Sequence, residues 1–124
     1  MKYRALCAED DSFQFKYLQH LLAKVDIEAV EAVDGQEAVD LATSQHFDIM
    51  FIDILMPRID GFMAIEKIRQ AGYEKNIIVV TAETDYVFLQ RALVLGGTDV
   101  LVKPVKSKDI VSMLKKYLDP SISL

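Results

Sequence analysis

Residues 49–62 read IMFIDILMPRIDGF, and the order of residue types within this stretch decides the fold. Ile49, Met50, Phe51 and Ile52 form an unbroken apolar run, the pattern of a short strand covered on both faces. It ends on an acid, Asp53. Met56-Pro57 then opens a loop, and Asp60 stands where it can cap a helix whose Phe62, Ile65 and Ile68 recur at helical spacing until Gly72 stops it.

The same alternation of apolar run and amphipathic stretch extends in both directions along the chain. Strands are expected at Arg4–Ala8, Glu28–Ala32, Ile49–Ile52, Ile77–Val80 and Val100–Val102. The first helix is expected over Ser12–Lys24, with Phe13, Tyr17, Leu18, Leu21 and Leu22 as its apolar stripe. A second follows the turn Asp34-Gly35 and covers Gln36–Ser44, with Ala38, Val39, Leu41 and Ala42 facing inward. The fourth runs from Thr84 to Leu95 and stops at Gly96-Gly97. The fifth follows Pro104, with Ser107 as its cap and Ile110, Leu114 and Leu118 along one side up to Pro120. Five such units are too few for an eight-unit barrel and suit an α/β, doubly wound parallel sheet forming one domain over residues 1–124.

Composition narrows the function. Just over half of the residues are apolar and about a quarter charged, as in ordinary globular proteins. The formal charge of -5 speaks against a direct nucleic-acid partner, which would call for clustered Lys and Arg. No window approaches the ~18 apolar residues of a membrane span. Cys7 is the single cysteine and has no internal partner; inside the run Tyr3–Ala8 it reads as a small buried hydrophobe. A cytoplasmic location is expected.

In a doubly wound sheet, functional groups gather beyond the carboxyl ends of the strands. Glu9, Asp10 and Asp11 follow the first strand, Asp53 the third, Thr81 and Ala82 the fourth, and Lys103-Pro104 the fifth. Taken singly, the three acids serve equally well at a helix N-terminus, Asp53 as a turn former and Lys103 as a solvated lysine. Brought together they crowd carboxylates at one edge, which calls for a compensating cation. Oxygen donors with few protein ligands suit Mg²⁺ rather than zinc, and neither His20 nor His46 follows a strand. A carboxylate can also attack phosphorus. Asp53 is fixed by the buried run before it and opens into a loop. Lys103 supplies positive charge, Thr81 a hydroxyl, and the small Ala82 leaves room for a phosphoryl group.

The strings AEDD (8–11), FIDILMPRIDGF (51–62), VVTAE (79–83) and VLVKP (100–104), in this order, resemble the motif set of response-regulator receiver domains across almost the whole chain. The resemblance implies a flavodoxin-like five-stranded sheet in order 2-1-3-4-5 with five helices. It also implies Mg²⁺ on Glu9, Asp10, Asp53 and the carbonyl of Leu55, phosphorylation at Asp53, and Thr81 and Lys103 on phosphoryl oxygens. The donor would be a phosphohistidine on a histidine kinase or histidine phosphotransfer protein. The domain would catalyse its own phosphorylation and dephosphorylation, with no independent substrate. A cis bond before Pro104 is expected on the same ground.

One position departs from that pattern. Receivers usually carry Tyr or Phe three residues before the lysine, and here the residue is Val100. A β-branched aliphatic side chain cannot make the ring swing, so the signal is expected to pass through Thr81 and the loop after it. The fourth helix has more apolar positions than one buried stripe needs, among them Val87, Leu93 and Val94. The face of the fourth helix, fifth strand and fifth helix is therefore a candidate surface for an output domain or a homodimer. Leu55 and Glu83 lie where a side chain could gate attacking water. The alternative is a receiver-like binding module that works without phosphorylation, against which the intact acids, Thr81 and Lys103 count. A phosphohydrolase with a D-x-D nucleophile is disfavoured because Glu9 precedes Asp10, and a flavin site because no strand leads into a phosphate loop.

Overall fold

The computed structural model describes residues 1–124. β1 (Tyr3–Ala8), α1 (Ser12–Ala23), β2 (Ile27–Ala32), α2 (Gly35–Ser44), β3 (Ile49–Asp53), α3 (Gly61–Gln70), β4 (Asn76–Thr81), α4 (Tyr86–Val94), β5 (Asp99–Val102) and α5 (Ser107–Tyr117) alternate strictly. The strands form one parallel sheet in order β2-β1-β3-β4-β5. This is the flavodoxin-like arrangement.

Side-chain alternation divides each central strand between two cores. Leu6, Met50, Ile52, Ile77 and Val79 face α2, α3 and α4, where they meet Ala38, Phe62, Ile65, Ile68 and Ala92. Cys7, Ile49, Phe51, Ile78 and Val80 face α1 and α5, against Phe15, Leu22, Ile110 and Leu114. A strand buried on both sides has no polar face to show, which explains the continuous apolar runs.

Four helices begin on an aspartate. Asp11, Asp34, Asp60 and Asp85 each accept a backbone N–H of the first turn, each cap contributing about 1 kcal/mol. α5 differs from expectation: its cap position is Lys106, without a side-chain bond, and Ser107 lies inside the helix. The stripe of α1 also needs correction. Phe13 is 82 % and Tyr17 45 % exposed, while Phe15, Leu21 and Leu22 are buried. Anchoring is uneven among the helices. α3 buries Gly61, Phe62, Ala64, Ile65 and Ile68, whereas α4 buries only Ala92.

At the rim opposite the strands' carboxyl ends, Asp48 accepts from the Arg4 backbone N–H at 2.8 Å and lies 3.2 Å from His46 Nε2 and 3.5 Å from Lys75 Nζ. Burial works to raise the Asp48 pKa, but these partners outweigh it and hold the carboxyl below its usual value. A depressed carboxyl stabilises the fold above its unfolded pKa of about 3.9 and loses that contribution as pH falls through the folded value. Asp48→Asn is therefore expected to lower the urea midpoint at neutral pH and to flatten its decline below about pH 4; parallel acid limbs for the two proteins would contradict this.

Candidate phosphoacceptor site

The register places one side chain from each of four strand ends at the same edge. Ala8 pairs with Ile52, Asp53 with Val80 and Thr81 with Val102. The residues that continue or end these strands, Glu9, Asp53, Thr81 and Lys103, are thereby neighbours. Backbone bonds carry the ladder past the strand ends, from Glu9 N–H to Ala32 O at 2.9 Å and from Lys103 N–H to Thr81 O at 2.8 Å. The Lys103-Pro104 peptide is cis.

Lys103 holds the centre of the site. Its ammonium donates to Asp53 Oδ2 at 2.8 Å and to Glu9 Oε2 at 3.0 Å. The other oxygens of the two acids are held by backbone: Asp53 Oδ1 accepts the Leu55 N–H at 3.1 Å, and Glu9 Oε1 accepts the Asp11 N–H at 3.2 Å. Ligand oxygens of Glu9, Asp10 and Asp53 lie within 4.8 Å of one another. Burial is the main cause that raises the Glu9 carboxyl above its ordinary range, and the Asp53 charge adds to it; together they outweigh the Lys103 bond. Burial alone would lower the Lys103 pKa, but its bonds to the two carboxylates raise it. One ammonium thus faces three acids, so the edge carries surplus negative charge. Clustered hard oxygens of that kind fit a divalent cation such as Mg²⁺.

Asp53 is less open than its place before a loop suggests. It is 5 % exposed, because the lysine fifty positions later covers it. Thr81 is fully buried, and its Oγ1 accepts the Glu83 N–H at 3.1 Å. Glu83 is turned into its own loop, where Oε1 accepts the N–H groups of Thr84 and Asp85 at 3.0 and 2.9 Å. Those bonds, with the Asp85 cap, start α4 at Tyr86 rather than Thr84. Leu55 is 64 % exposed beside Asp53.

Two glycines, Gly35 and Gly61, support the site directly. Gly61 donates to Ile54 O at 2.8 Å, and a methyl group at position 61 would overlap the Asp53 carbonyl oxygen. A methyl group at Gly35 would overlap the carbonyl oxygen of Ile59. The same loop is tied to α2 by Arg58, whose Nε lies 2.9 Å from Asp34 Oδ2. The D-G pair at 34–35 signalled a turn; that Gly35 and Gly61 also admit a neighbouring backbone depends on packing between elements.

The family model for the response regulator receiver domain matches residues 5–115. The chain is 30 % identical over 119 residues to the chemotaxis protein CheY of Treponema pallidum, covering 94 % of this chain and 83 % of that protein. It is 27 % identical over 115 residues to the transcriptional regulatory protein PcoR of Escherichia coli, covering 93 % of this chain and 51 % of the regulator. The chain therefore spans about half the length of that relative. Among solved structures, it superposes on the chemotaxis protein CheY4 of Vibrio cholerae with a TM-score of 0.88 and 27 % identity, covering 95 % of this chain and all of the other. It also matches the receiver domain of the sensor histidine kinase PA1611 of Pseudomonas aeruginosa, with a TM-score of 0.87, 26 % identity and coverage of 94 % and 98 %. That receiver has a magnesium ion coordinated in its active-site cleft.

Proposed function

This chain belongs to the response regulator receiver domain family, and from that membership we propose that it is a switch phosphorylated on Asp53 by a phosphohistidine of a histidine kinase or histidine phosphotransfer protein. An Asp53 carboxylate oxygen forms the new bond to phosphorus as the bond from phosphorus to the imidazole nitrogen breaks, and the departing ring keeps that electron pair. Glu9, Asp10, Asp53 and the Leu55 carbonyl would hold Mg²⁺, which when bound neutralises charge on the phosphoryl oxygens.

The protein's own groups divide the remaining work. Lys103 leaves Asp53 Oδ2 for a phosphoryl oxygen, so the charge that shields the acceptor beforehand stabilises the group it acquires. A threonine hydroxyl both accepts and donates. Thr81 can therefore keep the Glu83 N–H and turn its own hydrogen to the phosphoryl group. The observation that carries this reading is the Lys103 ammonium shared by Asp53 and Glu9 at 2.8 and 3.0 Å.

The signal then leaves through the β4–α4 loop. Val100 is only partly buried, packed against the core under α2, α3 and α4, and has no ring to swing. Tyr86, Val87 and Val94 on α4 and Val102 on β5 expose apolar surface, which suits an output domain or a second copy on the α4–β5–α5 face. No helix is long and apolar enough to cross a membrane.

Incubation with acetyl phosphate and Mg²⁺, followed by intact mass and peptide mapping, tests the proposal. The expected result is a gain of one phosphoryl group on Asp53 that a chelator prevents. Modification of another residue, or an equal yield with the metal removed, would falsify it.

A further inference from the structure

In the loop between β3 and α3, Arg58 has a φ of 66°, one of two non-glycine residues of the chain with a left-handed backbone. Glycine takes up that backbone without steric penalty and arginine does not, so position 58 keeps its side chain at a cost. The side chain forms a two-point ion pair. Its Nε lies 2.9 Å from Asp34 Oδ2, and its Nη2 donates to Asp34 Oδ1 at 3.1 Å, the forked geometry that joins guanidinium to carboxylate most firmly. Asp34 is itself fixed, because its Oδ1 also accepts the Glu37 N–H at 2.8 Å as the cap of α2. The next residue of the loop, Ile59, rests its carbonyl on Gly35 so closely that a methyl group would not fit. Two adjacent loop residues, one by charge and one by backbone contact, are thus seated on the N-terminus of α2.

We infer that Arg58 is a positioning residue for the acid cluster: through Asp34 it holds the β3–α3 loop in the shape that sets Asp53 and Leu55 for a divalent cation. The inference rests on the reading of Glu9, Asp10 and Asp53 as a Mg²⁺ site. Leu55 is the link. Its N–H donates to Asp53 Oδ1 at 3.1 Å and so fixes one oxygen of the carboxylate, the other being bonded to Lys103. The base of the loop is closed by the Gly61 N–H, which donates to Ile54 O at 2.8 Å, and Ile54 and Met56 bury their side chains. Pro57 and Arg58 are exposed, so the outer part of the loop relies on the Asp34 pair and the Gly35 contact. The Arg58 side chain is 61 % and that of Asp34 14 % exposed. A pair this open adds little to global stability; what it secures is the geometry of the loop.

Arg58→Gly and Asp34→Asn separate this role from plain electrostatics. The first removes a positive charge and relieves the backbone; the second removes a negative charge, leaves the loop's own sequence intact and keeps a capping side chain. Were the two charges acting through the local field, the first change would tighten Mg²⁺ binding and the second would weaken it. Loss of the latch weakens binding in both. Isothermal titration of the full chain with MgCl₂ is expected to show about a tenfold loss of affinity in Arg58→Gly, the lower end of what an outer partner of a metal ligand is worth. Asp34→Asn should show a smaller loss of the same sign, and the double variant no more than Arg58→Gly alone, with urea midpoints close to that of the wild type. In the metal-free Arg58→Gly protein, amide exchange at Leu55 and Gly61 is expected to quicken by about fivefold. Tighter Mg²⁺ binding by Arg58→Gly, shifts of opposite sign in the two variants, or wild-type exchange rates at Leu55 and Gly61 would each overturn the inference. A wild-type chain that binds no Mg²⁺ would instead refute the reading of the acid cluster, and the exchange rates would still decide whether Arg58 holds the loop.

Discussion

Lys103→Ala is expected to slow phosphorylation by acetyl phosphate by about a hundred- to a thousandfold, the effect of removing a preorganised charge from a transition state, and at the same time to tighten Mg²⁺ binding. The two effects have opposite signs because, in the proposed reaction, the ammonium would serve opposite purposes in the two states. Without metal it occupies Asp53 Oδ2 and Glu9 Oε2, oxygens that a cation would need. Its loss frees them for Mg²⁺ but leaves the acids repelling one another in a site where Glu9 is 8 % and Asp53 5 % exposed. Without metal the variant should therefore melt below the wild type, and it should recover more stability than the wild type when Mg²⁺ is added. Isothermal titration and melting curves at several Mg²⁺ concentrations measure both. Weaker metal binding in the variant would show that Lys103 assists the cation rather than competing with it.

Gly35→Ala is expected to destabilise the fold by about 3 kcal/mol, at the upper end for an overpacked site. A methyl group there has no room, because the carbonyl of Ile59 occupies the space and is backbone that cannot rotate away. Relief requires the β3–α3 loop to move, and that loop begins at Asp53, the proposed acceptor. The urea midpoint should fall and the phosphorylation rate should fall with it. Gly72→Ala is the fitting contrast. Its φ is 101° and nothing lies within 4 Å of an added carbon, so the cost is conformational alone, about 1 kcal/mol, with phosphorylation unchanged. Equal losses in the two variants would mean that the Ile59 contact is not what position 35 protects.

Much of this arrangement was legible in the chain, for a physical reason. The central strands β3 and β4 are covered on both faces, so Ile49–Ile52 and Ile77–Val80 had to be continuously apolar. Parallel topology then brings Glu9, Asp53, Thr81 and Lys103 to one edge whatever the details of packing. What escaped the sequence depends on contacts between distant residues. Helical spacing set Phe13 and Tyr17 on the inward stripe of α1, but the ring that is buried is Phe15, which joins the core that holds Ile110 and Leu114 of α5. The burial of Asp53 follows from a lysine just past the end of β5, and no local pattern announces it. Ser107 resembled a cap and is not one. The start of α4 was set too early because Glu83 folds back on the next two amides, a bond that composition does not reveal.

The thin attachment of α4 has a consequence for the whole molecule. Lifting α3 would tear five side chains and backbone positions from the interior, whereas α4 has one, Ala92, to release. Local opening is accordingly expected at α4 before α3. A push on the segment after Thr81, which the proposed phosphorylation would deliver, therefore meets less resistance from α4 than it would from α3.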